Sequence, residues 1–220
     1  MLDKDIREPL FDYLDERYGR VRIIEEKIIG KSRADVIAII KGLIIGFEIK
    51  SDNDTYTRLA GQIKDYDRYC DLNYVVVGER HIHVSDHVPD YWGIIYVNDE
   101  NVIVERDASV SPKVRLNLQL SLLWRNELLN IQLKEGLPRL MGTRRSDIYK
   151  RLIDTAGEPT IKADMTLELM DRDYSLWNKQ TVSIKKKRSS LSKASGDRSR
   201  AHVTNYISGK SSKGKRKVKK

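Results

Sequence analysis

The stretch Ser32-Arg33-Ala34-Asp35-Val36-Ile37-Ala38-Ile39-Ile40-Lys41-Gly42-Leu43-Ile44-Ile45-Gly46-Phe47-Glu48-Ile49-Lys50 decides the fold. Its two apolar runs are rich in isoleucine, and Lys41-Gly42 supplies a two-residue turn between them. A loop of that length pairs Ile40 with Leu43, and counting back along both strands sets Asp35 opposite Glu48. Residues directly opposed point to one face, with Cβ atoms about 5 Å apart. Lys50 lies two residues beyond Glu48 and shares that face. The pattern predicts two carboxylates and an ammonium at the open end of a hairpin.

Two carboxylates that close repel each other unless something positive lies between them. One answer is a hard divalent cation with oxygen ligands, Mg2+ or Mn2+, held by Asp35 and Glu48 with the backbone carbonyl of Ile49 as a further ligand. Lys50 would then face the attacking water or the phosphate oxygens and stabilise developing negative charge. The other answer is a cross-strand ion triad on a solvated sheet face.

Working outward, Ile6, Leu10, Tyr13 and Leu14 recur at helical spacing behind Asp3 or Asp5, and that helix should end by Gly19. Pro9 is harmless there if the helix begins close to Ile6. Residues 21–29 read as a strand, 36–40 and Leu43–Lys50 as the hairpin, and 57–70 as a helix with Leu59, Ile63, Tyr66 and Cys70 on one side. Residues 74–77 form a short apolar run suited to a strand buried on both faces, and 94–97 and 102–104 flank a turn. Three further helices are predicted over 118–134, 146–155 and 164–178, the second of them capped by Ser146. His81 and His83 alternate and would share a strand face, where polar edge positions are favoured over a transition-metal site. Trp92 reads as a packing corner.

Ala34-Asp35, twelve intervening residues and Glu48-Ile49-Lys50 resemble the PD-(D/E)XK nuclease superfamily, with Ala34 in place of the proline. Gln62-Ile63-Lys64-Asp65-Tyr66 on the next helix is similar to the QxxxY motif of RecB-type nuclease domains. Arg33 to Val36, Gly46 to Asp52, Asp54-Thr55, Arg58-Leu59, Gln62 and Pro89 to Ile94 together resemble a family of small bacterial and phage nuclease-like proteins, over roughly residues 5–155. The resemblance implies an α/β, restriction-endonuclease-like three-layer core with a mixed central sheet. It implies a divalent-metal-dependent deoxyribonuclease of endonuclease type, with Asp35 and Glu48 on the metal, Lys50 catalytic and Gln62 positioning. Many members add an acid upstream. Strand alternation allows only one of Glu25 and Glu26 to face the site, and Glu26 is the choice, with Glu8 on the first helix as the alternative. Arg33 and Arg58 are candidates for phosphate contact, as they are for exposed ion pairs.

Residues 126–153 run helix, extended loop, helix and resemble a SAP-type DNA-binding module, with Arg139, Arg144, Arg145, Lys150 and Arg151 as phosphate contacts. Short amphipathic helices of this kind also simply cover a sheet. The expected organisation is a nuclease-like core over 1–110, a helical region over 111–180 and a basic tail over 181–220.

Charge is divided unevenly. The 220 residues carry a net charge of +9, yet residues 181–220 hold 14 Lys and Arg against one acid, Asp197. Residues 1–180 hold 27 basic and 31 acidic residues. The tail is poor in large apolar side chains and is expected to be disordered. Its Lys185-Lys186-Lys187-Arg188 block seeks phosphates, and an acidic site needs such help to approach DNA or RNA. The single cysteine, Cys70, excludes a disulfide framework and a multi-cysteine zinc site. No apolar stretch reaches membrane-span length, and residues 1–5 lack a signal-peptide core, so no membrane partner and a cytoplasmic location are expected. Two nicks on a duplex would suit a homodimer. A non-catalytic nucleic-acid-binding or regulatory protein on the same fold is the alternative.

Overall fold

The hairpin forms with the register that its turn predicts. β2 (Ser32–Ile40) and β3 (Leu43–Lys50) pair antiparallel from Ile40–Leu43 to Val36–Phe47 in the computed structural model, which describes residues 1–173 apart from 79, 82, 99, 100 and 139–141. β2 begins four residues earlier than the apolar run suggests. Gly30, in the left-handed region at φ 60°, and Lys31 turn the chain back so that Ile29 pairs with Ser32, extending β2 along β1 (Arg22–Ile29). β4 (Leu72–Val77) and β5 (Gly93–Val97) add in parallel, and β6 (Val102–Arg106) returns antiparallel. The result is one mixed six-stranded sheet in chain order.

Helices cover both faces. α1 (Asp3–Tyr18) lays Ile6, Leu10 and Leu14 on one face, against Val36, Ala38, Ile45, Phe47 and Val76. It begins earlier than predicted. The Asp5 carboxylate accepts from the Leu2 N–H (2.9 Å) and closes the first turn, which leaves Pro9 inside the helix. α2 (Leu59–Tyr69) covers the opposite face, which also receives α3 (Leu116–Leu120), α4 (Arg125–Lys134), α5 (Arg145–Ala156) and α6 (Glu158–Asp171). Ile148, Leu152, Ile161, Met165 and Leu169 join the same core as Ile37, Ile44 and Tyr66, so the later helices bury their apolar sides on the sheet.

Three helix boundaries differ from the sequence pattern. The helix predicted over 118–134 is two helices, because Glu127 accepts from the Trp124 N–H (2.6 Å) and starts α4 afresh. α5 begins at Arg145, so Ser146 does not cap it. α6 starts at Glu158 with Pro159 in its first turn, where a missing N–H costs nothing, and ends at Asp171. The tail, Lys185 to Arg188 and Arg139 lie outside the described residues. Among the described residues no helix is long and apolar enough to cross a membrane.

One close approach governs where α2 sits. A Cβ on Gly46 would lie 2.5 Å from the Tyr66 ring and 2.9 Å from the Cys70 sulfur, so α2 rests directly on the β3 backbone. Gly46→Ala is expected to cost about 2 kcal/mol through overpacking, read as a lower urea midpoint with an unchanged slope. The nearby substitution Gly61→Ala, where a Cβ meets open space, should cost nothing.

Candidate active site

Beyond Val36–Phe47 the β2–β3 ladder opens, and Asp35 stands at the opening. Its carboxylate Oδ2 accepts from the Ile49 N–H (2.8 Å). Its own N–H donates to the Tyr66 hydroxyl (3.1 Å), and its carbonyl accepts from Arg7 Nη1 (3.2 Å). Asp35 and Glu48 are therefore not ladder partners, as simple extrapolation of the register had them. The Tyr66 hydroxyl also donates to the Phe47 carbonyl (3.1 Å), so it bridges the two strands where they separate. Tyr66 is fully buried and belongs both to the core and to the site.

Glu48 and Lys50 lie on the α2 side of β3, at 1% and 4% exposure. Glu48 Oε1 accepts from Lys50 Nζ (2.6 Å) and from Gln62 Nε2 (2.5 Å), and Lys50 also donates to Gln62 Oε1 (3.2 Å). Gln62 thus bonds to both Glu48 and Lys50. Glu48 Oε2 is buried with no hydrogen-bond partner among the described residues. Ile49 packs its side chain toward α1 and offers the cleft its backbone.

The upstream acids depart from simple alternation. Glu26 has φ 54°, left-handed for a non-glycine residue, and so both neighbours reach the same guanidinium. Arg7 Nη1 donates to Glu25 (3.0 Å) and Nη2 to Glu26 Oε1 (2.8 Å). Only Glu26 of the two lines the cleft, and Glu8 is exposed outside it. Asp3 is a local i,i+4 partner of Arg7, but Glu25, Glu26 and the Asp35 carbonyl, which tie it to the cleft, lie 18 to 28 residues away, where no local spacing marks them.

The cleft holds about 560 Å3, with Asp35, Glu48, Lys50 and Gln62 among its lining residues and Lys31, Arg33 and Arg58 supplying positive charge. Arg33 pairs with Glu26 Oε2 (2.6 Å). The α5 residues are not brought here. Arg145 is spent internally on the Tyr149 hydroxyl (2.8 Å) and the Leu123 carbonyl (2.5 Å). Arg144 and Lys150 are exposed, and Lys150 borders a different hollow with Asn117 and Asp154. His81 and His83 do not share a strand. His81 is nearly buried, with Nδ1 on the Tyr56 hydroxyl (2.7 Å) and Nε2 on the Ser51 carbonyl (2.8 Å). Trp92 is a packing corner, donating to Asp67 (2.9 Å).

Among the described residues no group of three or more His, Cys, Asp and Glu gathers as a metal site. The pair Asp35 and Glu48 nonetheless fits a hard divalent ion. Glu48 keeps one buried oxygen without a donor, and burial, then the charge of Glu48, pushes the Asp35 carboxyl up to about 7. Lys50 answers the Glu48 charge on Oε1, and a cation on Asp35 and the other Glu48 oxygen would relieve both remaining features.

The fold and site define an α/β protein with a carboxylate–lysine cleft at a sheet opening. Over residues 2–195 the sequence matches the family described as Bacteriophage P4 protein cII, and the chain belongs to that family. Among solved structures it is similar to the SPO1766 protein of unknown function from Silicibacter pomeroyi. That likeness has 18% identity and a TM-score of 0.45, over 64% of this chain and 100% of that one. It is also similar to SfsA of Pyrococcus furiosus in complex with Ca2+, with 16% identity and a TM-score of 0.27, over 51% of this chain and 62% of that one. No curated protein matches the sequence.

The raised Asp35 carboxyl has a consequence for stability. Between the ordinary carboxylate range and pH 7 the folded chain keeps a proton that the unfolded chain has lost, so metal-free stability falls as pH rises through that window. Asp35→Asn keeps an oxygen for the Ile49 N–H and removes the charge. Urea unfolding at pH 8 without divalent ions should show this variant more stable than the native chain by on the order of 2 kcal/mol, with the gap closing toward pH 4.

Proposed function

We propose that this protein is a divalent-metal-dependent nuclease that hydrolyses DNA phosphodiester bonds, of the PD-(D/E)XK type, acting in the cytoplasm. The observation that carries the reading is the Asp35–Glu48 pair at the open end of the hairpin, with a buried lysine and glutamine fixed on one Glu48 oxygen and the other oxygen unpartnered. Asp35, Glu48 and the Ile49 carbonyl would hold Mg2+ or Mn2+. The ion would polarise a phosphoryl oxygen and make a water more acidic.

The chain's own groups account for the rest. Gln62 and Glu48 fix the Lys50 ammonium in one orientation, leaving a proton to donate to the attacking water or to a phosphate oxygen as negative charge develops. Lys31, Arg33 and Arg58 at the cleft would receive backbone phosphates on either side of the scissile one. Arg144, Arg145, Lys150 and the Lys185-Lys186-Lys187-Arg188 block would add contacts away from the reaction, with Arg145 the weakest member because it is already bonded within the fold. Two copies would be needed to nick both strands at once.

The rival reading is a nucleic-acid-binding or regulatory protein without turnover. It draws on the closed state of the network, in which Lys50 is bonded to Glu48 and Gln62. Incubation with supercoiled plasmid separates the two. Nicking is expected with Mg2+ or Mn2+ and not with chelator, and Lys50→Ala should lower its rate by roughly a hundredfold or more. Binding without nicking by either protein would decide for the rival. Replacing Lys185, Lys186, Lys187 and Arg188 with alanine should weaken binding of all sequences alike. The slope of log affinity against log salt should fall by roughly 3 to 4.

A further inference from the structure

We propose that Arg33 is a latch on Glu26, a further carboxylate of the cleft, and that a polynucleotide phosphate releases it so that Glu26 joins the divalent-ion site. The inference rests on the nuclease reading and concerns regulation of that same site. Glu26 is held from two sides: Arg7 Nη2 takes Oε1 at 2.8 Å and Arg33 Nε takes Oε2 at 2.6 Å.

The two arginines are unlike. The Arg7 side chain is 13% exposed and also holds Asp3, Glu25 and the Asp35 carbonyl, so it is fixed. The Arg33 side chain is 64% exposed and stands in the cleft wall, where an ion pair with carboxylate is weak. A guanidinium fits phosphate as well as carboxylate, so a phosphodiester entering the cleft competes directly for Arg33.

Position makes release of Glu26 consequential. The ladder pairs Glu25–Val36 and Lys27–Ala34 bracket Glu26 and Asp35, which both line the cleft. The left-handed backbone at Glu26 is unfavourable for a side chain with a Cβ, and it is what turns this carboxylate into the cleft wall. With Arg33 seated, both Glu26 oxygens are occupied. With Arg33 drawn to phosphate, one Glu26 oxygen is freed in the cleft that Asp35 also lines, and the side chain can turn toward the ion. Cation uptake and polynucleotide binding then strengthen each other by the same factor.

Calorimetric titration of the full chain with Mn2+, alone and with a phosphorothioate-linked oligonucleotide that resists cleavage, tests this without reading activity. The oligonucleotide should tighten Mn2+ binding about tenfold in the native protein. Arg33→Ala should bind Mn2+ that tightly with no oligonucleotide and gain little when it is added. The double variant Arg33→Ala with Glu26→Gln should lose the gain, which separates a freed carboxylate from the mere removal of a positive charge. An Arg33→Ala protein with unchanged or weaker uptake, or a double variant that keeps the gain, overturns the latch while leaving the nuclease reading intact. No Mn2+ uptake in any arm overturns both.

Discussion

The Tyr66 hydroxyl, accepting from the Asp35 N–H and donating to the Phe47 carbonyl, is the contact on which the site depends. A β-ladder that opens in a protein interior exposes backbone groups that must find other partners. Here they are found on both faces of the sheet, Tyr66 from the α2 side and Arg7 from the α1 side. The opening lets the Asp35 carboxylate turn to the Ile49 N–H, and it leaves room for a cleft where a continued ladder would have closed the surface. Gly46 is part of the same arrangement, since its missing Cβ is what admits the Tyr66 ring.

Burial gives the arrangement its chemical character. Glu48 and Lys50 are almost wholly removed from water, which is tolerable because each is bonded to the other and to Gln62. A fixed ammonium beside a fixed carboxylate does not have to reorganise when charge develops nearby. Two acidic residues of the wall are likewise neutralised locally, Asp3 and Glu26 by Arg7 and Glu26 again by Arg33. Among the described residues Asp35 makes no ion pair, with Arg7 and Lys50 only partly offsetting its burial, and Glu48 Oε2 is buried without a hydrogen-bond partner.

Much of this was legible in the sequence. The Lys41-Gly42 turn fixes the register through Val36–Phe47, six strands follow from their apolar runs, and Gln62 was singled out by its resemblance to the QxxxY motif and lies within hydrogen-bond reach of Glu48. The site's departures from regularity were not legible. Strand alternation, applied to Glu25 and Glu26, assumes a φ that Glu26 does not have, and no residue type announces that exception. The cleft contacts of Arg7 and the double role of Tyr66 rest on residues 18 to 31 apart, which meet only once the layers are stacked. The split at Trp124 and the early start of α6 were within reach, since Glu127 three residues on and Pro159 after Gly157 are both signals of a helix beginning.

β1 is an outer strand of the sheet, and Glu26 lies in its middle. An outer strand with a regular backbone offers its free amide row to any extended peptide it meets, and so invites edge-to-edge polymerisation. The left-handed residue and the half-covered Lys27 beside it break that row. The same irregularity that brings Glu26 to the cleft thereby makes this border of the sheet a poor template for self-association.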